Sequence, residues 1–169
     1  MDTRQNILDI LKTAMQIEID GHLFYSMTAD RTTKPAVREL FGKLAADEVE
    51  HQRYLREVTT SYRKQGSSAF DLQRVKPDLT VVSRDIFNQR FRTEAAGASF
   101  ELGAVSIGMQ LETRALAHFR QAAEHSSDKE VRDFYQFLAD WEQQHWNSLN
   151  DLYSNVREDF WAQNDFAAF

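Results

Sequence analysis

Apolar and small residues recur along most of the chain at alternating steps of three and four positions, the spacing of one face of an α-helix. Four segments carry this pattern: residues 2–29, 33–65, 100–124 and 128–156. Over residues 66–98 the periodicity fades, although the stretch keeps enough apolar residues to pack against a core. The pattern therefore predicts an all-α protein of four long helices, with a long packed crossover between the second and third that allows a short helix at 83–92.

Two of the predicted helices have recognisable start signals. Thr33 and Pro35 precede the second segment, and proline is favoured in a first turn because it has no N–H group to leave unpaired. Ser127, followed three residues later by Glu130, has the spacing of a capping box in front of the fourth segment. These signals place two helix starts near residues 33 and 128.

The second half of the sequence repeats the first. VRELFGKLAADEVEH at 37–51 and VRDFYQFLADWEQQH at 131–145 share Val, Arg, Leu, Ala, Glu and His at matching places, offset by 94 residues. AMQIE at 14–18 and GMQLE at 108–112 have the same offset. Two matches at one offset indicate two helical hairpins related by a pseudo-two-fold axis and joined by the 66–98 crossover.

Length and composition narrow the class of protein. A chain of 169 residues with 6 Gly and 2 Pro fits a single helical domain over residues 1–169. A net charge of -6 argues against a nucleic-acid partner, because neutralising phosphates requires a basic face. The absence of cysteine excludes disulfides, thiolate metal sites and a cysteine nucleophile. The polar N-terminal segment contains neither a secretory nor a membrane-spanning stretch, so the cytoplasm is the expected location.

Each predicted helix carries a glutamate on the stripe that should face the core. These glutamates are Glu18, Glu48, Glu112 and Glu142. A carboxylate removed from water needs a counter-charge, so four of them on one inner face need a shared partner. In the second and fourth helices a histidine follows three residues later, as His51 and His145, on the same side of the helix as the glutamate. Each Glu-x-x-His pair can therefore hold the same small volume.

Two divalent cations would neutralise the charge of four carboxylates inside the bundle. One glutamate from each of two helices, with a Glu-x-x-His from each of the other two, is the pattern of di-iron and di-manganese carboxylate bundles. Oxygen and nitrogen ligands without thiolate suit iron or manganese. A single Glu-x-x-His is more often an exposed charged pair, but two copies on apolar stripes at one offset favour a dimetal site.

Four segments resemble the ferritin-like superfamily, most closely its rubrerythrin-type members: AMQIEIDGHLFY, LAADEVEHQRYL, GMQLETRALAHF and LADWEQQHWNSL. The resemblance implies a ferritin-like four-helix bundle in which Glu18 and Glu112 are terminal or bridging ligands and the two Glu-x-x-His pairs complete two irons. It also implies that the Tyr25 phenol hydrogen-bonds to a ligand carboxylate and so assists the reaction, with an ordinary core aromatic as an equal alternative.

The sequence departs from rubrerythrins in two ways. They carry a cysteine-ligated rubredoxin iron domain, which a chain without cysteine cannot contain. They also carry an extra glutamate one turn beyond the third-helix ligand, where this chain has Ala115. The remaining symmetric set resembles the ferroxidase centre of bacterioferritins. Electrons are therefore expected from an external donor protein or from substrate iron.

The resemblance implies a di-iron oxidoreductase of the kind that counters oxidative stress by reacting with peroxide or dioxygen. A ferritin-type ferroxidase or storage protein with ferrous iron as its substrate, and a bundle with purely structural metals, are the alternatives. Manganese in place of iron also stays open. The aromatic tail at 157–169 is expected to cap the bundle or enter a second subunit, which favours a homodimer, with or without exchange of hairpins.

Five further titratable residues are weighed against ordinary surface or packing roles. His22, one turn beyond the first-helix glutamate, is expected to pack or to lie at the surface more than to support a ligand. His118 and His125 lie off the apolar stripe and are expected in solvent. Glu50 is expected to be a surface charge, because it lies on the opposite face from the ligand glutamate of its helix. Glu101 is expected near the end of the bundle.

Overall fold

The computed structural model describes residues 3–70 and 99–163. Its four long helices are α1 Thr3–Arg31, α2 Pro35–Gln65, α3 Ser99–Glu124 and α4 Lys129–Gln163, with a 3₁₀ turn at Gly66–Phe70 after α2. No strand occurs within these described ranges, and the all-α, four-helix class is confirmed. None of the described helices combines the length and the apolar character needed to cross a bilayer. The short helix expected at 83–92 lies outside the described residues.

The fourth helix is longer than the apolar pattern predicts. It continues to Gln163, whereas the pattern places its end near residue 156. The residues after 156 include neither glycine nor proline, so nothing in the local sequence stops the helix there. The first part of the aromatic tail, with Phe160 and Trp161, therefore belongs to α4, while Phe166 and Phe169 lie outside the described residues.

Local sequence explains where two helices begin and one ends. Pro35 opens α2 in the position where its missing N–H costs nothing, and Gly66 follows the helix with a positive φ of 66°. The cap of α4 is Asp128, whose Oδ1 accepts a hydrogen bond from the backbone N–H of Glu130 at 3.0 Å. The expected capping box of Ser127 and Glu130 is wrong, because the carboxylate one residue later takes the capping position.

The chain forms two hairpins, since α1 packs mainly on α2 and α3 mainly on α4. Within the first hairpin, Gln52 Nε2 donates to the backbone oxygen of Glu18 at 3.2 Å, and His22 Nδ1 lies 2.9 Å from the backbone oxygen of Ala45. As residue numbers rise along α1 they fall along α2, so the two helices are antiparallel. The arrangement agrees with the hairpin repeat found in the sequence.

Buried apolar side chains form two clusters with a polar layer between them. The first cluster includes Leu11 and Phe119, and the second includes Tyr25 and Phe41. Every helix contributes to both clusters and places a glutamate between them; α1 does so with Glu18. The two apolar clusters therefore shield the polar layer from water along the bundle axis.

The start of the crossover is part of the first cluster. Phe70, which ends the 3₁₀ turn, is buried with its ring centroid 4.6 Å from that of Phe134 and 5.1 Å from that of Tyr62. The apolar content of this segment predicts such packing, and the rest of the crossover, at 71–98, lies outside the described residues.

Candidate metal centre

The polar layer contains the six residues that the sequence identifies as candidate metal ligands. All six are buried, with exposed fractions between 0% and 7%: Glu18, Glu48, His51, Glu112, Glu142 and His145. They come from all four helices, and each lies on the inner face because its position continues the apolar stripe of its helix. The folded chain thus brings together every residue of the predicted set.

His51 faces the carboxylates of three different helices. Its Nδ1 lies 3.0 Å from Glu18 Oε2, 3.4 Å from Glu48 Oε2 and 4.0 Å from Glu142 Oε1. The spacing of three residues between Glu48 and His51 on α2 puts both side chains on one side of that helix. This half of the layer is a compact group of one imidazole and three carboxylates.

His145 occupies the corresponding place in the other half of the layer. Its Nδ1 lies 3.2 Å from Glu48 Oε1 and 3.6 Å from Glu112 Oε1. One oxygen of Glu48 therefore faces His51 and the other faces His145. The two imidazole rings are themselves nearly parallel, with their centroids 5.1 Å apart. Glu48 lies between the two halves.

The ligand atoms fall into overlapping groups that could each hold one ion. Glu18, His51 and Glu142 form one group, and Glu48, Glu112, Glu142 and His145 form another; within each group the ligand atoms all lie within 4.8 Å of one another. Glu142 belongs to both of these groups, and Glu48 also groups with the two histidines. Glu48 and Glu142 are thus the central pair, and Glu18 and Glu112 lie at the two sides.

Burial without a counter-ion shifts the pKa values in this layer. Burial and the neighbouring Glu48 carboxylate raise the pKa of Glu18 to about 8, and burial with the charges of the other three glutamates raises the pKa of Glu142 well above its ordinary value. Burial alone would lower the pKa of His145, but contacts with carboxylates raise it well above the ordinary value. Burial would raise the pKa of Glu112, yet the nearby His145 imidazole lowers it. Bound cations would offset the burial and the repulsion between carboxylates that raise the pKa values of Glu18 and Glu142.

Several polar atoms of the layer have no hydrogen-bond partner among the described residues. They are Glu18 Oε1, Glu142 Oε1 and His145 Nδ1. Buried polar atoms are normally paired, because an unpaired one costs about 1–3 kcal/mol. Three unpaired atoms in one layer, all of types that coordinate metals, fit a pair of divalent ions with oxygen and nitrogen ligands. That donor set suits iron or manganese.

Two glycines make room for the layer. A Cβ at Gly21 would lie 3.1 Å from Glu48 Oε1, and a Cβ at Gly108 would lie 3.3 Å from Cε1 of Tyr25 and 3.0 Å from Cδ1 of Leu149. All three distances are shorter than ordinary carbon contacts, so a side chain at Gly21 would push on the Glu48 carboxylate, and one at Gly108 would push on Tyr25 and Leu149. The glycines allow the backbones of α1 and α3 to approach these groups.

Tyr25 combines the two roles that the sequence leaves open. Its side chain is fully buried in the second apolar cluster, and its hydroxyl donates a hydrogen bond to Glu112 Oε1. Burial and the charge of Glu112 raise the pKa of Tyr25 well above its ordinary value, so the phenol keeps its proton for this hydrogen bond. The tyrosine therefore holds one oxygen of Glu112 in place.

Replacing Tyr25 by phenylalanine is expected to weaken metal binding without unfolding the protein. The change removes a hydrogen bond to a charged group, which contributes about 1.5–3 kcal/mol, and keeps the ring that packs on Phe41. Titration of ferrous iron under anaerobic conditions checks this. Tyr135→Phe is a matched control, since Tyr135 is buried in the first cluster away from the layer. Equal loss of affinity in both variants would contradict the role given to Tyr25.

Three of the other titratable residues behave as expected. Through its contact with the Ala45 backbone oxygen, His22 packs α1 on α2. The exposed Glu50 carboxylate pairs with Arg53 at 2.7 Å. His125 is exposed at the end of α3.

Two residues need further comment. Glu101 is buried at the end of the bundle, as expected from its position, and its Oε1 accepts a hydrogen bond from Thr32 Oγ1 at 2.9 Å. His118 is half-buried, with its ring against Phe119 and its Nε2 unpaired among the described residues. The expectation that His118 lies in solvent is therefore wrong, because the start of α1 lies beside it, with Ile7 and Ile10 lining the same pocket as His118.

Two further side chains, which the pattern of ligand residues alone does not identify, lie beside the candidate ligands. Asp47 Oδ2 lies 3.7 Å from His145 Nε2, and the Trp141 ring stacks on the His51 ring with centroids 4.2 Å apart and an interplanar angle of 9°. Each residue immediately precedes the glutamate of a Glu-x-x-His pair. This position could have identified both residues from the sequence. The residue before such a glutamate lies about 100° round the helix, toward the neighbouring helix.

Comparison with known proteins gives one finding. A family model described as Rubrerythrin matches residues 9–153, a range that covers α2 and α3 completely, most of α1 and α4, and all six candidate ligands. No curated protein and no solved structure gives a significant match.

Proposed function

We propose, from the premise that this chain belongs to the rubrerythrin family, that it is a di-iron oxidoreductase that reduces peroxide or reacts with dioxygen. The metal ligands in this proposal are the four glutamates and two histidines of the polar layer. One observation supports it most: Glu48 and Glu142 lie between two halves that each have a histidine and a further glutamate. Two ions held this way would be close neighbours, as a two-electron reaction requires.

The residues of the chain bind the ions, balance their charge and exclude water. Four carboxylates offset two divalent cations, and the apolar clusters on both sides limit access of solvent. Tyr25 holds one oxygen of Glu112, and the two glycines leave room for the Glu48 carboxylate and for the tyrosine ring. Two bound ferrous ions would supply two electrons, enough to convert one hydrogen peroxide and two protons to two waters.

The return of electrons to the centre needs a second component. The sequence has no cysteine to hold a rubredoxin-type iron, so the proposal includes an external electron donor. A homodimer and a cytoplasmic location stay predictions of the sequence, with no nucleic acid and no membrane as partners.

The proposal is tested by mixing anaerobic, ferrous-loaded protein with limiting hydrogen peroxide or dioxygen and following iron oxidation by stopped-flow absorbance. We expect one peroxide to oxidise the two irons of one chain, faster than free ferrous iron under the same conditions. A Glu101→Gln variant, which changes a buried glutamate outside the layer, should react like the wild type. Oxidation no faster than that of free iron with both oxidants would overturn the proposal.

A ferroxidase is the second candidate, and Ala115 is the observation that favours it. Ala115 is buried one turn beyond Glu112, where rubrerythrins have their extra glutamate, so the ligand set is the symmetric one seen in ferroxidase centres. A ferroxidase releases its oxidised iron and accepts more, whereas a peroxide-reducing centre keeps both ions. Repeated additions of ferrous iron with dioxygen, followed by gel filtration, separate the two functions. A storage protein forms a hollow assembly that keeps accumulating iron, whereas an oxidoreductase retains about two irons per chain.

A further inference from the structure

The two halves of the polar layer have equivalent metal ligands, but the side chains that lie beside those ligands differ between the halves. The offset of 94 residues relates Glu18 to Glu112 and His51 to His145. The same offset relates Asp47 to Trp141 and Tyr25 to Phe119, and all of these but Phe119 contact a ligand from the opposite hairpin. The supporting residues can therefore be compared in pairs.

The first pair is Asp47 and Trp141, which occupy equivalent positions directly before their glutamates. Asp47 brings a carboxylate oxygen to 3.7 Å from Nε2 of His145, the nitrogen that faces away from Glu48 and Glu112. Trp141 instead stacks its indole on the ring of His51. Among residues 3–70 and 99–163, no carboxylate oxygen from outside the layer lies within 4.0 Å of a ring nitrogen of His51.

The second pair is Tyr25 and Phe119, again at equivalent positions. The hydroxyl of Tyr25 donates to Glu112, whereas phenylalanine at the other position has no hydroxyl to donate. Glu18 Oε1 is correspondingly left without a hydrogen-bond partner among the described residues. Both polar supports thus belong to one half of the layer, and both apolar counterparts to the other.

We propose that the two halves bind metal unequally, with the Glu112 and His145 half holding its ion more tightly than the Glu18 and His51 half, and that Asp47 is a positioning residue for this difference. The inference rests on the proposed dimetal function. A carboxylate beside the outer nitrogen of a metal-binding histidine favours the tautomer with its proton on that nitrogen, which leaves Nδ1 for the metal, and makes the imidazole a better donor. An indole stacked on the ring fixes its plane but adds no negative charge.

The size of the effect follows from measured cases of such supporting groups. Loss of an outer partner of a ligand typically lowers metal affinity by 10–100-fold, so Asp47→Asn should weaken the tighter step by roughly that factor. Binding of the two ions in separate steps does not by itself show that the halves differ in affinity, because a first cation repels a second even at identical sites. The tests therefore identify which half fills first.

The experiment titrates metal-free protein with cobalt(II), measuring heat by calorimetry and ligand-field absorption to follow each step. We expect two ions per chain in the wild type. Asp47→Asn should weaken the first step about 10–100-fold and leave the second nearly unchanged. His51→Ala should keep the tight step, and His145→Ala should lose it. Glu50→Gln, which removes an exposed charge on the same helix, is the matched control. It tests whether the loss of any negative charge on this helix changes the metal affinity.

The outcomes separate this inference from the function it rests on. Fewer than two cobalt ions per wild-type chain would contradict the dimetal centre itself. Two ions per chain with equal effects of His51→Ala and His145→Ala would leave that centre in place and overturn the unequal halves. A Glu50→Gln effect as large as that of Asp47→Asn would also overturn the role of Asp47. Because Asp47 is one-third exposed, its replacement by asparagine should leave the melting temperature of the metal-free protein unchanged.

Discussion

A chain with Glu48→Ala and Glu142→Ala is expected to lose both metal ions together, falling from two ions per chain to almost none. These two carboxylates lie between the halves of the polar layer, so both ions depend on them. Removing a terminal glutamate should affect one ion more than the other. The measurement is the metal content of protein loaded anaerobically with ferrous iron and freed of excess metal.

A matched control keeps this result specific. Glu101→Gln removes the charge of another buried glutamate, one that accepts a hydrogen bond from Thr32 at the end of the bundle. We expect this variant to keep both ions. A Glu48→Gln, Glu142→Gln chain preserves side-chain volume and so separates the loss of ligands from the creation of a cavity. Full metal content in either double variant would mean that the ions bind elsewhere.

Glu18→Gln is expected to change the free energy of unfolding in opposite directions in the metal-free and the metal-loaded protein. Glu18→Gln should stabilise the metal-free protein by about 1–3 kcal/mol at neutral pH, because the amide removes a buried, ionisable carboxyl from a layer of like charges. The same substitution should destabilise the loaded protein relative to the wild type, because it removes a ligand. Denaturant unfolding with chelator and with excess metal measures both differences.

The pH dependence of the metal-free protein follows from the same carboxyl. The folded protein raises the pKa of Glu18 from 4.5 to about 8, so its contribution is most favourable below pH 4.5 and is lost as the pH rises toward 8. The advantage of Glu18→Gln should therefore grow over this interval. Glu39→Gln, an exposed site on α2, should show no such trend. A metal-free Glu18→Gln protein less stable than the wild type at every pH would contradict the buried repulsion.

The sequence predicts this fold because its helices are long and strongly periodic. On each helix, apolar residues recur every three or four positions and are buried, as Leu11, Leu44 and Leu138 are on their own helices. Only a helix places residues with that spacing on one continuous face. The candidate ligands were found for the same reason: a glutamate on an apolar stripe, such as Glu18, conflicts with its surroundings unless it has a charged partner. Burial and charge together identify such a site without a structure.

Features that depend on contacts between helices could not be predicted in this way. Asp47 and Trp141 occupy equivalent sequence positions, yet one lies near an imidazole nitrogen and the other stacks on an imidazole face. Which contact forms depends on the packing of α2 on α4, and no periodicity encodes that distance. His118 is half-buried for a similar reason, since the start of α1 covers it. Local rules also competed at the start of α4, where Asp128 caps the helix in place of Ser127.

We propose that the polar layer holds two neighbouring iron ions. Crystals grown from protein loaded anaerobically with ferrous iron, measured at wavelengths on either side of the iron absorption edge, would locate these ions. We expect two anomalous peaks within the layer, one beside Glu18 and His51 and the other beside Glu112 and His145, with Glu48 and Glu142 between them. A single peak, or iron bound only outside this layer, would contradict the proposed centre.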